Sequence, residues 1–184
     1  MAFNVNDIRG QLTFGGAKAS HFQVQITNPV NNISDLKTPF MVQSATIPES
    51  TLGVVEVPYF GRKVKIAGDR TFNEWTVTII NDEDFLIRNA MEQWMSSINS
   101  HVGNRSQFNS SSPLQYKSQA QITQFSKTQV PLRIYNFVGL FPTNIAQIDM
   151  NWETTDDIER FDVTFQYDYW EVVGGITGNA GTNV

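Results

Sequence analysis

The sequence predicts a mainly β domain: a two-sheet β-sandwich or small barrel with one flanking α-helix. Three observations lead there. Apolar and polar residues alternate strictly over residues 74–80, with Trp75, Val77 and Ile79 set against Glu74, Thr76 and Thr78. The same alternation runs over 159–171, with Phe161, Val163, Phe165, Tyr167 and Tyr169 on one side. Period two is the signature of a strand with one buried face. Only one long segment, 82–100, carries a helical stripe, through Ile87, Met91, Trp94, Met95 and Ile98. A chain with 17% charged residues and 13 Phe, 5 Tyr and 4 Trp also suits a β-rich fold with large lateral contacts.

Taken in order, residues 1–19 are polar and Gly-containing and read as an arm that orders on a partner. A β-sandwich domain is expected over 20–173. Residues 21–27 form its first strand, with Phe22, Val24 and Ile26 inward. Asn28-Pro29 makes a turn. Residues 40–46 read as a second strand with Phe40 and Val42 inward. Residues 47–59 hold Pro48 and Pro58 around an apolar run, which marks an edge strand or an extended, covered loop. A short basic strand follows at 61–67. Gly68, Asp69 and Arg70 read as a turn, leading to the strand at 74–80. Asn81 or Asp82 caps the helix, and Glu83 and Asp84 favour its positive end. Residues 101–113 are a polar loop. Strands are expected at 116–126, 130–140 and 146–152. A turn is expected at 154–157, then the long strand at 159–171 and a Gly-rich tail at 174–184.

The net charge of −5 argues against a general nucleic-acid binder. Charge is uneven: residues 1–140 hold 12 Lys/Arg and 10 Asp/Glu, whereas residues 141–184 hold one Arg and eight acids. Such asymmetry fits either two surfaces with different neighbours or a solvated acidic edge. There is no cysteine, no secretory signal pattern and no apolar run long enough to span a membrane.

Catalytic chemistry finds no constellation. His21 and His101 stand apart without metal-ligand spacing. Gly68-Asp69-Arg70 lacks the glycines and Lys-Ser/Thr of a phosphate loop. Asp156, Asp157 and Glu159 lack the alternating ligands of a calcium loop. Asp162 and Asp168 share a face of the predicted strand but lie about 20 Å apart. No enzyme and no cofactor is expected.

Residues 64–85, VKIAGDRTFNEWTVTIINDEDF, and 139–171, GLFPTNIAQIDMNWETTDDIERFDVTFQYDYWE, resemble the tail tube proteins of contractile-tailed bacteriophages of the T-even type. The strand from Phe22 to Ile26 lies in a similar place. The resemblance covers most of residues 20–171 and departs in the 101–113 loop and after Glu171. It implies a β-sandwich whose sheets join between subunits into an inner tube barrel. Six copies form a ring, and rings stack into a hollow tube inside the contractile sheath. The tube penetrates the host envelope and conducts genomic DNA. Implied partners are other copies, the tail sheath, tape measure, baseplate and tail terminator proteins, and double-stranded DNA in transit, with no stable membrane association. The place is the virion tail, assembled in the host bacterial cytoplasm.

Within that frame, residues 47–63 are expected to project and contact the next ring. The contact candidates are Glu49, Leu52, Val54, Val55, Arg62, Lys63, Lys65, Asp69 and Arg70. Asp69 and Arg70 form an ion pair either across a subunit boundary or within the turn. Lumen-facing candidates are the polar alternates Gln119, Gln121, Thr123, Asp162, Thr164, Gln166 and Asp168. Together with the acidic C-terminal third they would give a wall that repels phosphate. The acids at 156–159 could instead face a ring edge or the sheath. Other readings are a tube subunit of a type VI secretion or contractile bacteriocin system, or a glycan-binding β-sandwich using Tyr59, Phe60, Trp152 and Trp170.

Overall fold

A computed structural model describes residues 4–108, 113–153 and 155–178. Among the described residues nine strands are formed: β1 (Phe22–Ile26), β2 (Val42–Ala45), β3 (Ser50–Tyr59), β4 (Arg62–Phe72), β5 (Trp75–Ile80), β6 (Ser118–Phe125), β7 (Pro131–Ile145), β8 (Arg160–Gln166) and β9 (Tyr169–Gly174). Three α-helical segments accompany them: α1 (Val5–Gln11), α2 (Thr38–Met41) and α3 (Leu86–Ile98). All strand pairs are antiparallel.

Two layers share one strand. The first has the order β1-β6-β7-β9, and the second runs β7-β8-β5-β2. The N-terminal part of β7 pairs with β6 and β9; Phe141 to Ile145 pair with β8. The change of sheet falls at Gly139 and Leu140. Gly139 takes φ +72°, a conformation that favours glycine. The inner faces meet in one core. Val24, Ile122, Tyr135, Phe137 and Val172 come from the first layer, and Trp75, Val77, Ile79, Phe161, Val163 and Phe165 from the second. Trp75 stacks on Phe137 with ring centroids 4.3 Å apart.

α3 closes the side of this core with the stripe read from the sequence: Ile87, Met91 and Trp94 are buried. Its neighbours are loop ends. Trp94 Nε1 donates to the Tyr116 carbonyl at 2.9 Å, Arg88 Nη1 to the Ala146 carbonyl at 3.2 Å, and Asn28 Nδ2 to the Ala90 carbonyl at 3.0 Å. The helix starts later than 82, at Leu86. The residue before it, Phe85, is left-handed at φ +49°, and Asp84 rather than Asn81 or Asp82 accepts the Leu86 N–H. Asn81 is instead buried, with its Nδ2 on Glu159 Oε2. Lys37 bridges Asp82 and Asp84; these bonds hold both carboxyls below the usual carboxylate range and the Lys37 ammonium above its own.

Four further local expectations fail. Residues 38–41 form a helical turn, because Pro39 suits a first helical turn and Thr38 Oγ1 donates to the Ser34 carbonyl. Phe40 is consequently 81% exposed instead of inward. The Gly68–Arg70 turn does not exist; those residues lie inside β4. Residues 146–152 alternate but find no partner strand, so they are a loop. The long strand at 159–171 breaks into β8 and β9 at a corner where the Asp168 N–H donates to the Val138 carbonyl. Tyr167 stays buried there, but Tyr169 turns outward. The N-terminal arm contains α1, whose described residues are all exposed. Of the tail expected over 174–184, residues 179–184 lie outside the described residues, as do 1–3 of the arm, 109–112 of the polar loop and Thr154 of the predicted turn.

Candidate assembly and lumen surfaces

The hairpin β3–β4 stands clear of the domain. Tyr59 and Arg62 close a two-residue loop, Phe60-Gly61, with φ +43° and +78°. Both central residues at positive φ make this the mirror-image turn whose twist matches a hairpin. Pro58 lies one position away from the closing pair, where its missing N–H would point away from β4. Nearer the base, one residue of β3 (Gly53) faces two of β4 (Gly68, Asp69), a β-bulge. A Cβ on Gly68 would sit 3.2 Å from the Gly53 carbonyl, so the backbones meet there at glycine distance. Among the described residues only the base is anchored: Phe72 packs on Tyr167 and Trp170, and Trp170 Nε1 donates to the Glu49 carbonyl at 3.2 Å.

The two faces of the hairpin differ. Val55, Val57 and Tyr59 lie opposite Ile66, Val64 and Arg62. The five apolar members of this face are 44–67% exposed. The other face carries Glu56, Lys63 and Lys65, with Lys63 Nζ 2.6 Å from Glu56 Oε2. A two-stranded hairpin is marginal alone in water, and this one leaves an apolar face uncovered. The structure therefore gathers Leu52, Val54, Val55, Arg62, Lys63, Lys65, Asp69 and Arg70 on one projection, with Glu49 beside Asn73 at its root. Asp69 and Arg70 are consecutive strand residues that project to opposite faces, and neither joins an ion pair among the described residues.

The polar alternates divide between two surfaces. On the outer face of the first layer, Gln25, Gln121, Asn136 and Glu171 form one cross-strand row, and Gln23, Thr123 and Ile134 a second. Gln119 belongs to this face. Asp162, Thr164 and Gln166 project from the outer face of the second layer. There Thr78 Oγ1 donates to Asp162 Oδ1 at 2.7 Å, and Thr76 meets Thr164 at 3.3 Å. The layers are packed inner face to inner face, so these sets look in opposite directions. Asp168 sits at the β8–β9 corner, at the margin of the first-layer face beside Gln119 and Val138, 2.6 Å from Lys117 Nζ. Within its strands the first-layer face projects Glu171 as its one carboxylate and no Lys or Arg among the described residues; the Lys117–Asp168 pair lies at its margin.

Nor do the aromatics proposed for a glycan site share a surface. Tyr59 and Phe60 are at the hairpin tip, Trp170 is at its root, and Trp152 lies in the loop between β7 and β8.

The phage tail tube protein family matches residues 17–173, which is most of the chain. The chain belongs to that family. It is a structural subunit of a contractile phage tail tube, not an enzyme. It is 30% identical over 156 residues to the tail tube protein gp19 of Enterobacteria phage T4, covering 84% of this chain and 91% of that one. Against the tail tube protein of Serratia phage KSP90 it is 26% identical, covering 89% and 93%. Among solved structures, the tube terminating cap of the anti-feeding prophage superposes with TM-score 0.63 at 17% identity, covering 86% of this tube subunit and 91% of that chain. The sheath/tube terminator of the extracellular contractile injection system PVC gives 0.63 at 16%, covering 86% and 97%. Those two likenesses establish the shared fold.

The two candidate surfaces of this tube subunit are legible in part from the sequence. Lys63 and Lys65 alternate with Val64 and Ile66, and that showed a strand with two different faces. Gln23, Gln25 and Glu171 were missed as face residues, although Gln23 and Gln25 alternate with buried Val24 and Ile26 in the first predicted strand.

Proposed function

We propose that copies of this subunit form hexameric rings that stack into a hollow tube, and that the β3–β4 hairpin makes the ring-to-ring contact. The observation that carries the proposal is the hairpin itself: anchored only at its root, with an uncovered apolar face. Burying that face against another copy would supply the association energy, at about 25 cal/mol per Å² of apolar surface. In this reading residues 20–173 are the tube domain, while 1–19 and 174–184 are peripheral. The tube runs inside the tail sheath, meets the tape measure, baseplate and tail terminator proteins, and is assembled in the host bacterial cytoplasm. Identity to phage proteins favours this over a secretion or bacteriocin tube.

The test is a shortened hairpin. Val55 and Ile66 face each other in the same register class as the Tyr59/Arg62 pair that flanks the native turn. Replacing residues 56–65 by Asn-Gly between them preserves a two-residue loop. Negative-stain images of the purified variant should show single rings, where the parent shows tubes, with an unchanged far-ultraviolet β spectrum. Tubes of normal length from the variant would end the proposal.

We further propose that the outer face of the first layer lines the lumen and that the second-layer face points outward. The support is chemical. A wall of Gln, Thr and Asn with one strand carboxylate, and its marginal Lys117 already paired with Asp168, offers phosphate little to hold it. The wall is thus mainly neutral amide, not the acidic surface the composition suggested. Gln121→Lys should slow DNA release from assembled particles several-fold at low salt, while Thr164→Lys on the opposite face leaves it unchanged. The reverse order would place the second layer inside.

A further inference from the structure

The loop between β7 and β8, residues 146–158, carries a second exposed apolar surface, at the far side of the body from the hairpin root. Trp152 is wholly exposed, Met150 is 78% exposed and Ile158 64%. The same stretch holds Asp149, Glu153, Asp156 and Asp157 and no Lys or Arg. The nearest base is Arg160, whose Nη2 lies 2.8 Å from Asp157 Oδ1. A bare tryptophan among carboxylates is uncommon on a free surface, because it leaves a large apolar ring in water where a partner could cover it.

Its position matters as much as its chemistry. The hairpin β3–β4 enters the body at Phe72, three residues before Trp75, the first residue of β5. The acidic loop meets the other end of the same strand. Just past Ile80, the Asn81 N–H donates to the Glu159 carbonyl at 2.8 Å, and the Ala146 N–H donates to the Asp162 carbonyl at 2.8 Å. Hairpin and loop thus sit at opposite poles of one strand, about 20 Å apart at strand rise. Head-to-tail stacking needs two different, complementary patches at opposite ends of the subunit. These two complement each other in both respects. From Ser50 to Phe72 the hairpin has four bases (Arg62, Lys63, Lys65, Arg70) against two acids, with Tyr59, Phe60, Val64 and Ile66 between them. The loop supplies acids and three apolar side chains.

We propose that the acidic loop at residues 146–158 is the seat for the hairpin tip of the next copy in the stack. Tyr59 and Phe60 cover Trp152 and Met150, and the loop straddles the hairpin so that Arg62 on the Tyr59 face and Lys65 on the opposite face meet Glu153 and Asp156. The occupant is a second copy of this chain. This rests on the stacking role proposed above and adds the receiving surface to it. It also explains why the acids are concentrated late in the chain while the bases lie early: the match is made between copies.

The chain has no cysteine, so a pair can be introduced cleanly. Tubes grown from an equal mixture of Tyr59→Cys and Trp152→Cys subunits, then oxidised, should give disulfide-linked dimers. The yield should be at least tenfold above a mixture of Tyr59→Cys with Thr76→Cys, which lies on the second-layer face. Charge reversal provides a second reading. Arg62→Glu/Lys65→Glu and Glu153→Lys/Asp156→Lys should each cut the polymerised fraction about tenfold, and the four changes together should restore it to within twofold. Circular dichroism of each variant confirms folding. Equal cross-linking in both mixtures, or loop reversal that leaves tube length unchanged, overturns the proposal. The hairpin-shortened variant separates the two levels. If it fails to stack while loop variants stack normally, the hairpin docks elsewhere on the next copy. If it stacks normally, the stacking role itself fails.

Discussion

Trp75→Ala is expected to remove about 3–5 kcal/mol of stability, the cost of deleting a large aromatic from a packed core. The indole is 1% exposed and is the point where the two layers touch. It stacks on Phe137 of the first layer at 4.3 Å and lies 5.7 Å from Phe165 of the second. Its Nε1 donates to the Thr46 carbonyl at 2.9 Å, which ties the exit of β2 to the core. Alanine would leave a cavity between sheets that are each held by a hydrogen-bonded ladder and so cannot collapse into it. It would also strand the Thr46 carbonyl. Against a typical total stability of about 5–15 kcal/mol, this loss leaves little margin. The measurement is a urea titration, reading the midpoint at unchanged slope. Trp75→Phe separates the parts: it keeps a ring on Phe137 but loses the hydrogen bond, and should cost about 1–3 kcal/mol. A loss below about 1 kcal/mol for Trp75→Ala, smaller than typical for a large core residue, would mean that the layers do not depend on this contact.

Gly139→Ala should cost about 2–4 kcal/mol although it adds one methyl group. Holding a non-glycine residue in the left-handed region costs roughly 1–2 kcal/mol. Gly139 sits at φ +72°, where β7 leaves one sheet for the other. Steric conflict adds to this, because a Cβ there would lie 2.1 Å from Asp168 Oδ2. Asp168 would have to withdraw, breaking its 2.6 Å contact with Lys117. Adding Asp168→Ala to Gly139→Ala should recover only the steric share and leave the backbone share. If the single variant melts within a degree or two of the parent, the corner between β8 and β9 is looser than the contact implies.

Several strands were legible because their signal is local. Buried Val24 and Ile26 of β1, Ala120 and Ile122 of β6, and Trp75, Val77 and Ile79 of β5 show their inward faces by alternation alone. The stripe of α3 is equally plain. The errors arose where two conformations share one pattern. Alternation continues unbroken from Phe161 to Tyr167, so nothing local marks the corner after Gln166. The corner depends on the Val138 carbonyl and the space left by Gly139, both distant in sequence. Gly68 with Asp69 looks like a turn, yet the chain turns at Phe60-Gly61, because the register of β3 against β4 decides which glycine bends and which allows close approach. Residues 146–152 alternate like a strand, but a strand also requires a neighbour.

The proposed assembly surfaces divide the same way. Sequence alone determined the family, the inward faces of the main strands, the helix, and the early-basic, late-acidic distribution of charge, because each is written in residue type and spacing along the chain. Tertiary structure decided that Gln119, Gln121 and Thr123 look away from Asp162, Thr164 and Gln166. As polar alternates of strands the two sets are indistinguishable, but face-to-face packing of the layers turns their outer surfaces in opposite directions. It also decided that the basic hairpin and the acidic loop lie at opposite ends of β5. That placement follows from antiparallel pairing, which fixes which strand ends are neighbours, and it turns an uneven charge count into two complementary poles.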